Sequence, residues 1–274
     1  MTHSRPAVRD LLTSRGLAPR RDLGQNFVAD PNTVRRIAHL AAVGSGDHVV
    51  EIGAGLGSLT LALAENGAAV TAVEVDRGLA RALRDVVSDT AAVSVVEADA
   101  MTLDWDRLAA PKPWVLVANL PYNVATPLVC DVLDRVPAVS RMLVMVQREV
   151  GERLAAAPGA AAYGAVSVKV AYWATARVVG HVPASVFVPR PNVESALVEI
   201  VRHEPPSTSP AAVFPLVRAA FGQRRKMLRR SLAGVVTPEQ FVAAGIDSSN
   251  RPEALGVPSW CALADVVGAS GPGS

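Results

Sequence analysis

The 274-residue chain has few cysteines, few aromatic residues and little net charge. Its two cysteines, Cys130 and Cys261, lie far apart and have no companions at metal-ligand spacing, which disfavours a disulfide framework and a zinc site. No apolar run is long and uncharged enough to cross a bilayer, and no apolar stretch typical of a signal peptide follows the first arginines. We therefore expect a cytoplasmic protein without a metal or a membrane partner.

The composition favours a folded protein, because 50% of the residues are hydrophobic and only 19% are charged. The length allows one large domain and a smaller one. The formal net charge of +2 does not by itself indicate a nucleic-acid partner, so that inference depends on local clusters. Nothing in the sequence indicates a coiled coil or a large apolar stripe, and we expect a monomer.

Short apolar segments alternate with helical patterns over much of the chain. This alternation predicts an α/β fold with a parallel, doubly wound, Rossmann-like sheet. Two later segments, 165–173 and 194–201, are candidates for the last strands and would form an antiparallel hairpin at one edge of the sheet. The predicted central strands are 48–52, 70–75, 93–98, 114–118 and 142–146.

Composition also predicts how the chain is divided. Residues 1–28 form a basic lead segment, and 29–204 form the α/β domain. The Pro- and Ser-rich stretch 205–210 is typical of a linker. Residues 211–274 are expected to form a small helical domain, with helices at 211–233, 238–244 and 259–267.

A glycine-rich turn, Gly53-Ala-Gly-Leu-Gly57, follows the first predicted strand of the sheet. Such a turn lets a ligand approach the backbone closely, here at Gly53 and Gly55. The dinucleotide fingerprint requires a third glycine at the position occupied by Ser58, which disfavours a nicotinamide oxidoreductase.

Two acids follow the next strands of the predicted sheet. Glu74 precedes Val75, and Asp99 precedes Ala100. Because the carboxyl ends of parallel strands meet at one edge, these residues are expected beside the glycine turn. Glu74 is suited to accept from ribose hydroxyls and Asp99 from an adenine amino group, although each could also be a solvated acid at a strand end.

The fourth strand runs into Asn119-Leu-Pro-Tyr122. The Asn119 side-chain oxygen and the Leu120 carbonyl can accept both hydrogens of an exocyclic purine amine, which turns the nitrogen lone pair towards a methyl donor. Pro121 fixes the turn, and the Tyr122 ring offers a flat face on which an extruded base can stack. The alternative is a capping asparagine and a core tyrosine at an ordinary turn.

A basic cluster lies between Phe214 and Gly234, where the sequence has no acidic residue. Such a cluster attracts phosphates, although many charged runs are only solvated surface. The local imbalance in a nearly neutral chain favours RNA contact. The candidate RNA-binding residues are Arg224, Arg225, Lys226, Arg229 and Arg230.

Taken together, these motifs resemble the ribosomal RNA adenine dimethyltransferase family, in particular its small-subunit branch (KsgA/RsmA). The resemblance runs from about Arg20 to beyond Leu232. It implies S-adenosylmethionine as the cofactor and the small ribosomal subunit as the partner. It also implies dimethylation of two adjacent adenosines near the 3′ end of 16S rRNA and a role in subunit biogenesis. The matching segments are 23–28, 50–55, Glu74, 99–100, 119–123, 187–191 and 223–229.

The resemblance also implies roles for individual residues. The lead segment would close over the cofactor through Gln25, Asn26 and Val28. Gly53 would line the amino-acid part of the cofactor, Glu74 the ribose and Asp99 the adenine. Asn119 would touch both cofactor and target, and Phe187 would stack on the base face opposite Tyr122.

The chain departs from the family pattern at Asp22, at Asn192-Val-Glu194 and at Met227. These differences concern RNA contacts and spare the catalytic turn. Two alternatives remain at this stage. One is a large-subunit rRNA adenine methyltransferase that confers macrolide-type resistance, a group in which the turn usually reads Asn-Ile-Pro. The other is a ribosome-assembly checkpoint factor with secondary methylation.

Overall fold

The computed structural model describes residues 2–20, 23–108, 112–121 and 124–269. The chain divides into two compact units. The first comprises Met1–Gly151 and Arg177–Arg202, and the second comprises Glu152–Ala176 and His203–Ser274.

The first unit is built around a seven-stranded sheet of described residues. Its strands are β2 (His48–Ile52), β3 (Ala69–Glu74), β4 (Val93–Glu97), β5 (Trp114–Asn119), β6 (Val139–Gln147), β7 (Ala174–Val182) and β9 (Ser195–Arg202). Their spatial order is β4-β3-β2-β5-β6-β9-β7. A separate two-stranded ladder joins β1 (Phe27–Val28) to β8 (Phe187–Val188).

The helices of the first part of the chain lie before, between and after these strands. They are α1 (Arg5–Ser14), α2 (Pro31–Leu40), α3 (Ser58–Glu65), α4 (Arg77–Val86), α5 (Ala125–Arg135) and α6 (Arg148–Leu154). Side-chain caps begin two of them, since Asp30 accepts from the Thr33 N–H and Asp76 from the Leu79 N–H. The apolar faces of α2 and α3 pack with the central strands in one core.

The central strands run parallel, as the sequence predicts. β2 pairs in parallel with both β3 and β5, β3 pairs with β4, and β5 pairs with β6. The predicted doubly wound, Rossmann-like class is confirmed. The sheet extends to opposite sides of β2 as the chain proceeds, and such a switch point places the ligand cleft at the carboxyl ends of the neighbouring strands.

The predicted edge hairpin is wrong. Residues Ala165–Trp173 form helix α7, and β9 lies between β6 and β7, pairing antiparallel with β6. The alternating apolar residues of this segment suggested a strand. In the structure Val168 and Tyr172, one helical turn apart, are buried in the core of the second unit.

The second unit is helical. Besides α7 it contains α8 (Pro210–Gly222), α9 (Leu228–Ser231), α10 (Pro238–Ala243) and α11 (Val257–Ala269). The helix predicted over 211–233 is therefore interrupted after Gly222. Tyr163 and Tyr172 donate to the carbonyls of Leu255 and Thr208, at 2.9 and 2.6 Å, and so join segment 152–176 to later parts of the unit.

The expected domain boundary after residue 204 thus differs from the division seen in the structure. Segment 152–176 belongs with the C-terminal helices because its apolar side chains are buried among theirs.

Among the helices that the structure describes, none combines the length and apolar character needed to span a membrane.

Candidate functional site

A cleft opens at the carboxyl ends of β2, β3 and β5. It encloses about 1030 Å³ of empty space, including the part open to solvent. Its walls are the glycine turn after β2, the end of β3, the turn after β5 and the segment around β1. Eleven of the residues predicted from sequence line this cleft: Gln25, Asn26, Val28, Gly53, Gly55, Glu74, Val75, Asn119, Leu120, Pro121 and Phe187.

The glycine turn requires its glycines. Gly53 and Gly55 have φ values of 73° and 57°, in the region that side chains of L residues rarely adopt. A Cβ atom on Gly55 would also lie 3.1 Å from the Phe27 ring, which packs over the turn. A side chain at this position would therefore require the Phe27 ring to shift by a few tenths of an ångström.

Glu74 is fixed at the end of β3 by backbone donors. Its Oε2 accepts from the Gly55 N–H at 2.8 Å, and its Oε1 accepts from the Asp76 N–H at 2.9 Å. Burial raises the pKa of Glu74, and the N–H groups of Asp76 and Gly55 oppose that rise. The glycine turn and the acid of the next strand thus form one hydrogen-bonded unit on the cleft wall.

Asn119 ends β5 with its side chain held in one orientation. Its Nδ2 donates to the Asn26 carbonyl at 3.0 Å, which leaves the side-chain oxygen as an acceptor. The next residue is fixed as well, because the Leu120 N–H donates to the Met145 carbonyl at 3.0 Å. The predicted acceptors therefore lie on a strand end that is held by hydrogen bonds. Tyr122 lies outside the described residues, and its stacking role stays a prediction.

Phe187 reaches the cleft through the small ladder, where it pairs with Val28. Its side chain is only 1% exposed, so little of the ring face is free in this arrangement. The structure places Phe187 on the wall, and its stacking on a target base stays a prediction.

Asp99 and Ala100 are not among the residues that line the cleft. Asp99 is exposed after β4, at the edge of the sheet, where its Oδ1 accepts from the Met101 N–H at 2.9 Å. The sequence predicted Asp99 beside Glu74 because each acid lies at the carboxyl end of a predicted parallel strand. Its contact with the cofactor adenine stays a prediction.

Sequence reasoning missed one acid of the cleft. Glu51 lies on β2, lines the cleft and is 2% exposed. Its Oε2 accepts from the Thr60 hydroxyl at 2.5 Å. Burial raises the pKa of Glu51 to about 8, and repulsion from Glu74 adds to the rise, while Thr60 opposes it. A carboxylic acid between the apolar residues Val50 and Ile52, two positions before the glycine turn, was the available signal.

Sequence reasoning also missed helix α1, whose residue Val8 lines the cleft. Beside this helix, the His3 N–H donates to the Ser58 hydroxyl at 3.3 Å, and the His3 ring bonds the Leu56 carbonyl at 3.0 Å. Arg5 donates to the carbonyls of Phe187 and Ser185. The lead segment is therefore attached to both the glycine turn and the β8 segment.

The candidate RNA-binding residues lie in the second unit. All five are exposed, on the α8–α9 connection and on α9. Arg224 also donates to the Ala161 carbonyl at 2.9 Å, which anchors the start of the connection. This arrangement leaves basic side chains available to phosphate groups.

Comparison with known proteins identifies close relatives. The family described as ribosomal RNA adenine dimethylase matches residues 16–267. A Bifidobacterium longum subsp. infantis protein named ribosomal RNA small subunit methyltransferase A is 44% identical, over 97% of this chain and 94% of its own. The protein of that name from Streptomyces griseus subsp. griseus is 46% identical, over 94% of this chain and 92% of its own.

Solved structures show the same fold. A dimethyladenosine transferase from Plasmodium falciparum superposes with a TM-score of 0.74 at 23% identity, covering 85% of this chain and 94% of that one. The 23S rRNA methyltransferase ErmE gives a TM-score of 0.70 at 25% identity, covering 88% of this chain and 99% of that one.

Proposed function

This chain belongs to the ribosomal RNA adenine dimethylase family, and we propose that the cleft at the carboxyl ends of β2, β3 and β5 is its active site. The chain is an S-adenosylmethionine-dependent methyltransferase that dimethylates adenine in 16S rRNA. The observation that carries the assignment of the site is that one cleft brings together the glycine turn, Glu74 and the turn that begins at Asn119.

The cleft residues suit S-adenosylmethionine. Gln25 lines the cleft, and its buried Nε2 atom has no hydrogen-bond partner among the described residues. An orphaned buried donor is costly and fits an acceptor such as the cofactor carboxylate. Gly53 and Gly55 leave the backbone approachable, and Glu74 offers acceptors for ribose hydroxyls. When bound, S-adenosylmethionine supplies an electrophilic methyl group on a positively charged sulfur.

Residues of the β5 turn would prepare the target amine. The Asn119 side-chain oxygen and the Leu120 carbonyl accept its two hydrogens and favour a pyramidal nitrogen with an available lone pair. Tyr122 and Phe187 would hold the base by stacking. A strong general base is not required, because the nitrogen becomes acidic once it is alkylated and can lose its proton to water.

The helical unit would supply affinity for RNA. Arg224, Arg225, Lys226, Arg229 and Arg230 are exposed together in a segment without acids, which supports contact with rRNA phosphates. We further propose that the enzyme needs no metal, because the acceptors of the β5 turn activate the target amine. We also propose that it acts in the cytoplasm as a monomer.

The large-subunit alternative is not favoured. The relatives at 44% and 46% identity are named for the small subunit, whereas the 23S rRNA methyltransferase is 25% identical. A checkpoint factor with secondary methylation is not favoured either, because Asn119, Glu74 and the glycine turn are assembled in one cleft.

The test is methyl transfer to small ribosomal subunits from cells that lack this enzyme. With a labelled methyl donor, we expect label in 16S rRNA, and mass analysis should identify dimethyladenosine. Primer-extension arrest then maps the modified positions. No label in 16S rRNA, or label in a nucleoside other than dimethyladenosine, would contradict the proposal.

A further inference from the structure

Helix α4 has a row of exposed arginines that takes no part in the proposed methyl transfer. Arg77, Arg81 and Arg84 are four and three residues apart, so they lie on one face of the helix, and the opposite face is buried. The helix begins at the carboxyl edge of the sheet, shortly after Glu74 and Val75, which line the cleft. The row therefore starts at the edge of the sheet where the target adenosine would be methylated.

The first two arginines of this row are not engaged by the protein. Three acids on or beside α4 are already paired with other arginines. These ion pairs are Arg84–Glu97, Arg15–Asp85 and Arg20–Asp76. The side chains of Arg77 and Arg81 have neither a hydrogen bond nor an ion pair within the part of the chain that the structure describes. Both guanidinium groups are therefore available to an anion.

The positions of Arg77 and Arg81 are unfavourable for the helix itself. Arg77 is the first residue of α4, where the helix dipole disfavours a cation. The first turn has no acid, and the N-cap acid Asp76 is already paired with Arg20. The two arginines are four residues apart, and like charges at this spacing repel each other. Since departures from such local rules are expected at functional sites, the two side chains are placed to meet an anion from outside the protein.

A phosphodiester is the anion that an RNA substrate brings to this edge. Arginine binds phosphate oxygens through charge-assisted hydrogen bonds. We propose that Arg77 and Arg81 bind the phosphodiester backbone of 16S rRNA beside the cleft, as a contact separate from the basic cluster of the second unit. This inference rests on the proposed function. The contact positions the RNA strand and does not read its sequence.

The test removes both charges and keeps side chains that are compatible with a helix. Filter binding measures the affinity of Arg77→Gln combined with Arg81→Gln for small ribosomal subunits from cells that lack the enzyme, over a series of salt concentrations. We expect the slope of log affinity against log salt to become shallower by roughly two, because two phosphate contacts are lost. Arg77→Lys combined with Arg81→Lys should restore the slope, since lysine also binds phosphate as a point charge.

The matched control is Arg107→Gln combined with Arg135→Gln. It makes the same change in net charge at two exposed arginines of the first unit, each paired with an acid three or four residues away, and should leave the slope unchanged. The glutamine variant of α4 should bind S-adenosylhomocysteine as the wild type does. It should also unfold at the same or a higher temperature, because it loses the repulsion within the helix.

An unchanged salt slope in the glutamine variant of α4 would overturn the inference. An equal change in the control would overturn it too, because the slope would then report net charge alone. A lower unfolding temperature of the α4 variant would overturn it in favour of a role in stability. Weaker binding to subunits, with unchanged binding to protein-free 16S rRNA, would overturn it in favour of a ribosomal protein. If the wild type transfers no methyl group to these subunits, the proposed function itself fails.

Discussion

At the scale of single residues, the side chain of Asn119 is held by the lead segment. Its Nδ2 donates to the Asn26 carbonyl, which leaves its side-chain oxygen as an acceptor. The sequence predicted Asn119 from its position at a strand end. It could not show that Asn26, which is distant in the chain, would orient the amide.

We expect Asn119→Ala to lower the methyl-transfer rate about 10²- to 10³-fold, because it removes an acceptor that favours the reactive amine. RNA affinity should be retained. Single-turnover methyl transfer measures the rate, and filter binding measures the affinity for RNA. Asn66→Ala is a matched control, since Asn66 also donates to a backbone carbonyl, that of Ala38, and is not among the residues lining the cleft. Parallel loss of transfer and RNA affinity in Asn119→Ala would contradict the separation of roles.

Glu51 should make the stability of the cofactor-free protein depend on pH. Its pKa is about 8 in the folded state against an ordinary value of 4.5. Between these values the folded protein keeps a proton that the unfolded chain has lost, so stability falls as pH rises, by at most about 1.4 kcal/mol per pH unit. Below pH 4.5 Glu51 is protonated in both the folded and the unfolded state, and its contribution to the free energy of unfolding is fully present.

Denaturant unfolding of the wild type and Glu51→Gln from pH 5 to pH 8 checks this. The stability of the wild type relative to the variant should decline steadily with pH, because glutamine does not titrate. Parallel stability profiles would show that Glu51 is ionised throughout.

At the scale of elements, the parallel strands and the glycine turn were predictable, because buried apolar runs ending in glycine or an acid have few alternative structures. Helix α7 was not predictable, because its alternating apolar residues are compatible with a strand or a helix. Burial against later helices decides in favour of the helix. The break between α8 and α9 was not predictable either, because the sequence around it is compatible with a continuous helix. Helix α1 was missed because only Val8 and Leu12 of its residues are buried.

The glycine turn gives a prediction at this scale. Gly55→Ala should cost roughly 1–2 kcal/mol from its left-handed backbone and should also displace the Phe27 ring, weakening S-adenosylhomocysteine binding. Gly46→Ala is the matched control, because Gly46 has a φ of 93° but open space around a new Cβ atom. It should lower the thermal midpoint without changing ligand affinity. Equal ligand affinity in Gly55→Ala would show that Phe27 yields without consequence.

At the scale of the whole molecule, the charge that we propose contacts RNA is concentrated in one segment of a chain with a formal net charge of only +2. Arg225→Ala combined with Lys226→Ala should weaken rRNA binding and make the slope of log affinity against log salt shallower by roughly one per residue removed. Cofactor affinity should not change. Arg107→Ala, with a side chain 87% exposed in the first unit, is the control. An unchanged salt slope in the double variant would remove this segment from the interface.

The interleaving of the two units has a consequence for synthesis of the chain. The ribosome releases residues 152–176 before the helices that bury them, and it must also finish β9 before the first unit is complete. The side chains of Tyr163, Val168 and Tyr172 are therefore exposed to water, or bound by a chaperone, until α8 and α11 have left the ribosome. A fragment that stops just after residue 204 would keep these side chains uncovered permanently and should aggregate. No single proteolytic cut can separate this protein into two intact halves.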